Sequence, residues 1–232
     1  MSAAARGRIL LQLALVFAVM LSVKWIADRY DVIGAGSIAI WCAIIVATLL
    51  MKREGMIWPE LGLRLPKGRG QWLRGIGWGL LAMFAVFLLM GLVLGPLFGA
   101  LGLETPADAS DRFRFFLGKP LVFIGFLVVV IWFGAALGEE MFMRGFVLNR
   151  IATFFGEGPV GWSLALVIHA SIFGAMHAYQ GLAGMIGTGA IGFVLGVFYL
   201  VGKRSLFPVV LAHGLINTVG LLGFYFTDGA LT

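Results

Sequence analysis

Long apolar runs separated by short polar stretches make up most of this chain. They can be drawn at about 9–27, 32–51, 73–98, 120–148, 160–178, 182–201 and 206–226. A helix crosses a bilayer with roughly 20 apolar residues, and each run comes near that length. The runs are continuous, whereas the strands of a membrane barrel are short and alternate polar with apolar positions. The pattern predicts an all-α fold, a polytopic transmembrane bundle of about seven helices. The first run follows Arg6 and Arg8 as a signal peptide would, but no small-residue cleavage site closes it. It ends instead in Lys24, Asp28, Arg29 and Asp31, so it is expected to stay as the first membrane helix.

Basic residues between the runs set an orientation. With the amino terminus inside, Arg6, Arg8, Lys52, Arg53, Arg64, Lys67, Arg69, Arg74, Arg144, Arg150, Lys203 and Arg204 fall on or toward the cytoplasmic side. Lys24, Arg29, Arg112, Arg114 and Lys119 fall toward the other. The excess favours an N-in, C-out topology. The 52–74 loop is the most basic and suits contact with anionic lipid. The 99–119 loop, with Glu104, Asp108, Asp111, Arg112 and Arg114, reads as a short surface excursion. Trp25, Trp58 and Trp72, near segment ends, read as interfacial anchors.

Composition adds the compartment. Only 12% of residues are charged and mean hydropathy is +1.02. A soluble domain carries about twice that charged share, so the chain is an integral, multi-pass membrane protein, with membrane lipid as a partner. No polar stretch is long enough to fold alone, which leaves a single membrane domain over 1–232. The net charge of +6 does not point to nucleic acid, because the cations sit between apolar runs rather than in one patch. Cys42, the only cysteine, lies in an apolar run and has no partner for an intrachain disulfide.

Polar residues inside the runs concentrate in the second half of the chain: Glu139, Glu140, Arg144, His169, His177, His213 and Asn217. An ionised group at membrane depth costs several kcal/mol, of the order of the insertion scales, and is a functional hypothesis by default. Glu140 and Arg144 stand i, i+4 on one helix face and can pair. Glu139 is rotated about 100° from Glu140 and can face elsewhere. One carboxylate can then be tied up structurally while its neighbour faces a cavity. Phe173 and His177, and His213 and Asn217, repeat the i, i+4 spacing. Helix–helix hydrogen bonding is the bland explanation for any one of these residues, and for His169, which has no partner visible in the sequence, it is the preferred one. Gly184, Thr188, Gly192 and Gly196 form a small-residue ridge that reads as helix packing.

GEEMFMRG, FGAMH and HGLIN match, in order, the EExxxR, FxxxH and HxxxN motifs, and together they resemble the family of type II CAAX prenyl proteases and bacteriocin-processing enzymes, the CPBP or Abi family. PELGLRLP, residues 59–66, resembles a phrase common ahead of the core in bacterial members. The resemblance implies an intramembrane endopeptidase acting on a membrane-associated or prenylated peptide, with residues 119–226 as catalytic core and 1–118 as accessory helices and basic loop. It implies Glu139 as the catalytic carboxylate, His177 as its partner on water, and His213 with Asn217 as oxyanion stabilisers. Glu140, Arg144 and Phe173 match supporting positions. Members are often called metalloproteases, and a metal-free glutamate route is also proposed for them. Glu139, His177 and His213 are accordingly candidate ligands for Zn, with a fourth position open to water. A bacterial plasma membrane is the expected location.

Other chemistries fit the residues less well. There is no HExxH motif, every Asp lies outside the runs or at their edges, and Ser171 lacks a nucleophile turn. A small-solute or ion transporter is the rival from another class, and a non-catalytic binding protein on the same fold is a third reading. Measured from the drawn cytoplasmic ends, Glu139 lies about ten residues deep and His177 about seventeen, a mismatch of roughly 10 Å. The cavity is expected to open toward the cytoplasmic half.

Overall fold

The computed structural model describes residues 1–227 and, within them, all side chains except those of residues 107 and 108, so the Asp108 carboxylate lies outside the described part. Seven long helices run through it: α1 Ala3–Arg29, α2 Ala35–Arg53, α3 Arg69–Leu101, α4 Pro120–Phe155, α5 Pro159–Ala175, α6 Gly181–Val201 and α7 Leu206–Phe226. Six, with Ala178–Gln180 included in the span of α6, are long and apolar enough to cross a membrane; α5 is a shorter apolar helix of 17 residues. There is no strand among the described residues. The chain is an all-α integral membrane protein, as the apolar pattern predicts.

The core runs between the helices. Val16 and Met20 of α1 meet Ala39, Ala43 and Ala47 of α2, whose small side chains admit α4 through Phe142, Met143 and Phe146. From α6 and α7, Leu195, Tyr199, Val209 and Ala212 close the same core. At Gly214 any side chain would collide with the ring of Trp132, so its bare backbone lets α7 lie directly on α4. Pro208, Leu211 and Gly79 join α3 to α7 in the same close manner.

Between its α-helical ends, α4 carries the i→i+5 hydrogen bonds of a π-helix over Leu127–Leu148. π-segments occur most often at functional sites, and this one holds the first motif. Where the sequence suggested a stop at 148, α4 continues to Phe155. Asn149 and Arg150 look like a polar break, but both are satisfied inside the bundle. The Asn149 amide donates to the carbonyls of Arg144 and Gly145 and to Tyr199 Oη, at 2.8–2.9 Å. Arg150 donates to Glu54 at 2.6 Å.

This extension removes the depth mismatch. Glu139 stands sixteen residues from the Phe155 end of α4, and His177 eighteen from the Pro159 start of α5. A difference of two residues is roughly 3 Å along a helix.

Two connections carry more than the sequence reading gave them. The 99–119 stretch is no simple surface excursion. A 3₁₀ segment, Ala107–Phe116, buries Phe116 completely against Phe123 and Phe126 of α4 and Leu221 and Phe224 of α7. The PELGLRLP stretch folds as a turn at Trp58–Leu61 followed by Gly62, whose φ of 97° disfavours other residues. A Cβ there would also strike the Arg204 carbonyl. Gly62 C=O accepts from Leu206 N–H at 3.0 Å, and Tyr199 Oη donates to Leu61 C=O at 3.0 Å. This turn fastens the α6–α7 connection to the helices before it. Trp58 belongs to the same packing: its indole donates to Thr48 at 2.9 Å and its ring lies over Gly145. Trp25, 62% exposed, keeps the position of an interfacial anchor.

Candidate active site

Three helices bring the three motifs together around the middle of α4. Arg144 is fully buried, and its Nη1 donates to Glu140 Oε1 at 2.7 Å, the i, i+4 pair expected from spacing. Its Nη2 reaches the carbonyl of Gly192 on α6 at 3.2 Å, and its guanidinium lies over the Phe173 ring, 4.7 Å from the centroid. Glu140 is also fully buried, and the same Oε1 accepts from His213 Nδ1 at 2.8 Å. Phe173 lies 4.9 Å from the His177 ring and 6.4 Å from that of His213, centroid to centroid. The first motif is thus joined to the third by a hydrogen bond and to the second through an aromatic ring.

The small-residue ridge on α6 explains the approach of α5. A Cβ at Gly192 would lie 2.9 Å from the Phe173 ring, and one at Gly196 would press on Leu166 and the His169 ring. As expected, the ridge serves packing, and it seats Phe173 between Arg144 and the two histidines. Thr188 turns its hydroxyl back onto the carbonyl of Gly184.

The histidines share one feature. His177 Nδ1 stands 2.9 Å from the carbonyl of Phe173. A carbonyl only accepts, so Nδ1 carries the proton and the neutral ring leaves its lone pair on Nε2. His213 Nδ1 faces a carboxylate already paired with Arg144, which selects the same tautomer. Both rings therefore keep Nε2 for something other than the protein's own backbone or Glu140. Asn217 lies one turn beyond His213 on α7 and is partly buried.

Glu139 differs from its neighbour. It is half-buried, and its Oε2 is enclosed without a hydrogen-bond partner. On the same stretch of α4, Glu140 Oε2 and Arg144 Nε are likewise enclosed without partners, as is the indole nitrogen of Trp41 on α2, which stands against Gly138. Unpaired buried polar atoms are rare and each costs about 1–3 kcal/mol. Their gathering here marks a place arranged for something other than stability alone. Trp41 was not singled out by sequence, because a tryptophan inside an apolar run reads as core.

His169 does not act as helix glue. It is completely buried beside Gly196, and neither ring nitrogen makes a well-formed hydrogen bond, only a loose approach to the backbone of Leu166.

A zinc ion would need Glu139, His177 and His213 together. Among the described residues no three His, Cys, Asp or Glu side chains lie close enough to hold one ion. The donor set as arranged does not fit the metal. An apolar groove of about 400 Å³ between α5 and α6, lined by Ala170, Gly174, Met185 and Gly189 among others, contains none of Glu139, Glu140, Phe173, His177, His213 or Asn217.

The fold and these buried groups define a helical membrane protein with an ionisable centre inside its bundle. Residues 121–219, a segment that holds all three motifs, match the family model described as type II CAAX prenyl endopeptidase Rce1-like. No curated protein and no solved structure matches the chain.

Proposed function

We propose that the protein is an intramembrane endopeptidase that hydrolyses a peptide bond of a membrane-associated or prenylated substrate with a water activated by Glu139 and His177. The observation that carries the reading is the division of labour between two adjacent carboxylates. Glu140 is fixed by Arg144 and His213, whereas Glu139 keeps an enclosed oxygen with no partner.

In this mechanism Glu139 takes a proton from water as the oxygen attacks the scissile carbonyl. His177, with Nδ1–H held by the Phe173 carbonyl, presents Nε2 as a second acceptor for the water and later as a proton carrier to the leaving amine. The developing oxyanion needs donors. Asn217 offers its amide, and His213 would donate from Nε2 as an imidazolium, its Nδ1 held by Glu140. The family match supports a CAAX-type endopeptidase in general; the roles given to these residues are those the motif resemblance implies, and the unpartnered Glu139 oxygen and the Nδ1-bonded His177 ring are compatible with them. We place the protein, N-in and C-out, in a bacterial plasma membrane, where peptide maturation or immunity is the natural setting for such an activity.

The test is cleavage of a quenched fluorescent peptide library by purified protein, beside Glu139→Ala, with and without chelator. Cutting that is lost in the variant and kept with chelator supports the carboxylate–histidine route. Loss with chelator and rescue by zinc would replace it with a metal centre. A wild type that cuts nothing, while solute flux responds to Glu139→Ala, would make the protein a transporter.

A further inference from the structure

We propose that Trp41, on α2, is a substrate-positioning residue whose indole N–H holds a backbone carbonyl of the bound peptide beside Glu139. This rests on the endopeptidase reading and adds a residue that lies outside the segment matched to the family, 121–219.

Three observations meet at this side chain. First, the Trp41 indole nitrogen is enclosed and has no hydrogen-bond partner. An indole N–H only donates, and buried tryptophans usually find an acceptor for it. Second, its place is fixed. The ring stacks on Phe133 of α4 at 4.4 Å between centroids and 13° between planes. A Cβ built on Gly138 would lie 3.4 Å from the indole nitrogen, so the donor stands against the backbone one residue before Glu139. Third, Glu139 has an enclosed Oε2 that also lacks a partner. A donor and a base that both lack partners sit on neighbouring helices, the donor against the backbone one residue before the base, and the donor's open position calls for an acceptor.

A peptide backbone suits that place. Its carbonyl accepts from Trp41, and the bond to be cut then lies where a water on Glu139 can reach it. A cation would be repelled by the N–H. The stacking on Phe133 keeps the ring from turning to another acceptor, so the donor is set before substrate arrives. Gly138 contributes by being small: a side chain there would push between Trp41 and α4.

The experiment compares wild type with Trp41→Phe and with protein carrying 3-benzothienylalanine at position 41, which keeps the bicyclic shape and replaces N–H by sulfur. Thermal stability in detergent is read alongside kcat and KM on a peptide that the wild type cuts. Loss of one neutral hydrogen bond to bound peptide should lower kcat/KM about tenfold. The loss should fall mainly on KM, and the benzothienyl protein should melt no lower than wild type because an unpaired buried donor has gone. A benzothienyl protein with wild-type kcat/KM overturns the proposal, as does one whose activity falls only in step with its stability. A wild type that cuts no peptide overturns the endopeptidase reading, and this inference with it; a cut peptide with an indifferent position 41 overturns this inference alone.

Discussion

Two charge centres lie in this bundle, one partly exposed and one fully buried, and they are built differently. Near the amino-terminal end, Glu54 follows α2 and meets Gln12 of α1 at 2.7 Å and Arg150 of α4 at 2.6 Å, with Arg8 at 3.9 Å. Both carboxylate oxygens of Glu54 are occupied. In the middle of α4, Glu140 shares one oxygen between Arg144 and His213 and leaves the other bare; Glu139 Oε2 on the same helix and the Trp41 indole on α2 are bare as well. A carboxylate with both oxygens filled ties helices together, even though Gln12 Oε1 beside it has no partner. A centre with unfilled valences carries a standing cost, which makes sense where a substrate or a reacting water completes it.

The sharpest test separates the two neighbours in the central site. Glu139→Gln keeps shape and removes the base. Hydrolysis should fall by about a thousandfold, within the range of general-base contributions, with the melting temperature unchanged because Glu139 Oε2 has no partner to lose. Kinetics and a melting curve on the same preparation check it, and a variant that melts lower would assign Glu139 to the scaffold instead. Glu140→Gln should do the opposite on stability. It strands a fully buried guanidinium, and breaking such a pair costs about 3–5 kcal/mol. Activity should fall too, because His213 loses the charge that orients it. Equal melting of the two variants would erase the distinction between the carboxylates.

The outer centre should behave as a fastening only. Burial works to raise the pKa of Glu54, but hydrogen bonds from Arg150 and Gln12 and the charges of Arg150 and Arg8 outweigh it and hold the carboxyl below its ordinary 4.5. The sign follows: the folded state favours the ionised form, so the stabilisation is complete above the ordinary value. It disappears as pH falls through the lowered one. Glu54→Gln should cost about 2 kcal/mol at neutral pH, as charged hydrogen bonds are worth roughly 1.5–3 kcal/mol each. It should also flatten the loss of stability on acidification below about 4.5. Melting curves between neutral pH and pH 3 would show both, and cleavage per folded molecule should match wild type. A Glu54→Gln protein with altered kcat would join the two centres functionally and break the contrast.

Much of this contrast could be read along the chain, and the part that could not has a physical reason. The Glu140–Arg144 pair was visible because i, i+4 spacing fixes which side chains meet on a helix, and the order of the motifs pointed to one site. The end of α4 was not visible. Asn149 and Arg150 look like a helix stop until Tyr199, fifty residues later, and Glu54, before them, are seen to accept their hydrogen bonds. Trp41 was hidden for a related reason. Whether an indole in an apolar run faces lipid, core or site depends on a packing partner, here Phe133 and Gly138, that no local pattern names. The RFRFF stretch likewise discloses its buried role only once α4 and α7 supply the aromatic rings around Phe116.

His169 offers the smallest expected effect and a check on the argument from unfilled valences. It too has buried nitrogens without a well-formed hydrogen bond, yet the Phe173–His177–His213 ring contacts do not include it, and it packs instead beside Gly196 and Leu166. If bare polar atoms were enough to mark a site, His169 would belong to one. On the present reading an unpaired polar atom counts only where others of complementary role adjoin it. His169→Leu, a swap of similar volume that removes two unsatisfied nitrogens, should leave kcat/KM within about twofold of wild type. It should change stability by less than about 1 kcal/mol, toward higher melting if toward either. A large loss of activity without unfolding would bring His169 into the central site and require the roles of His177 and His213 to be redrawn.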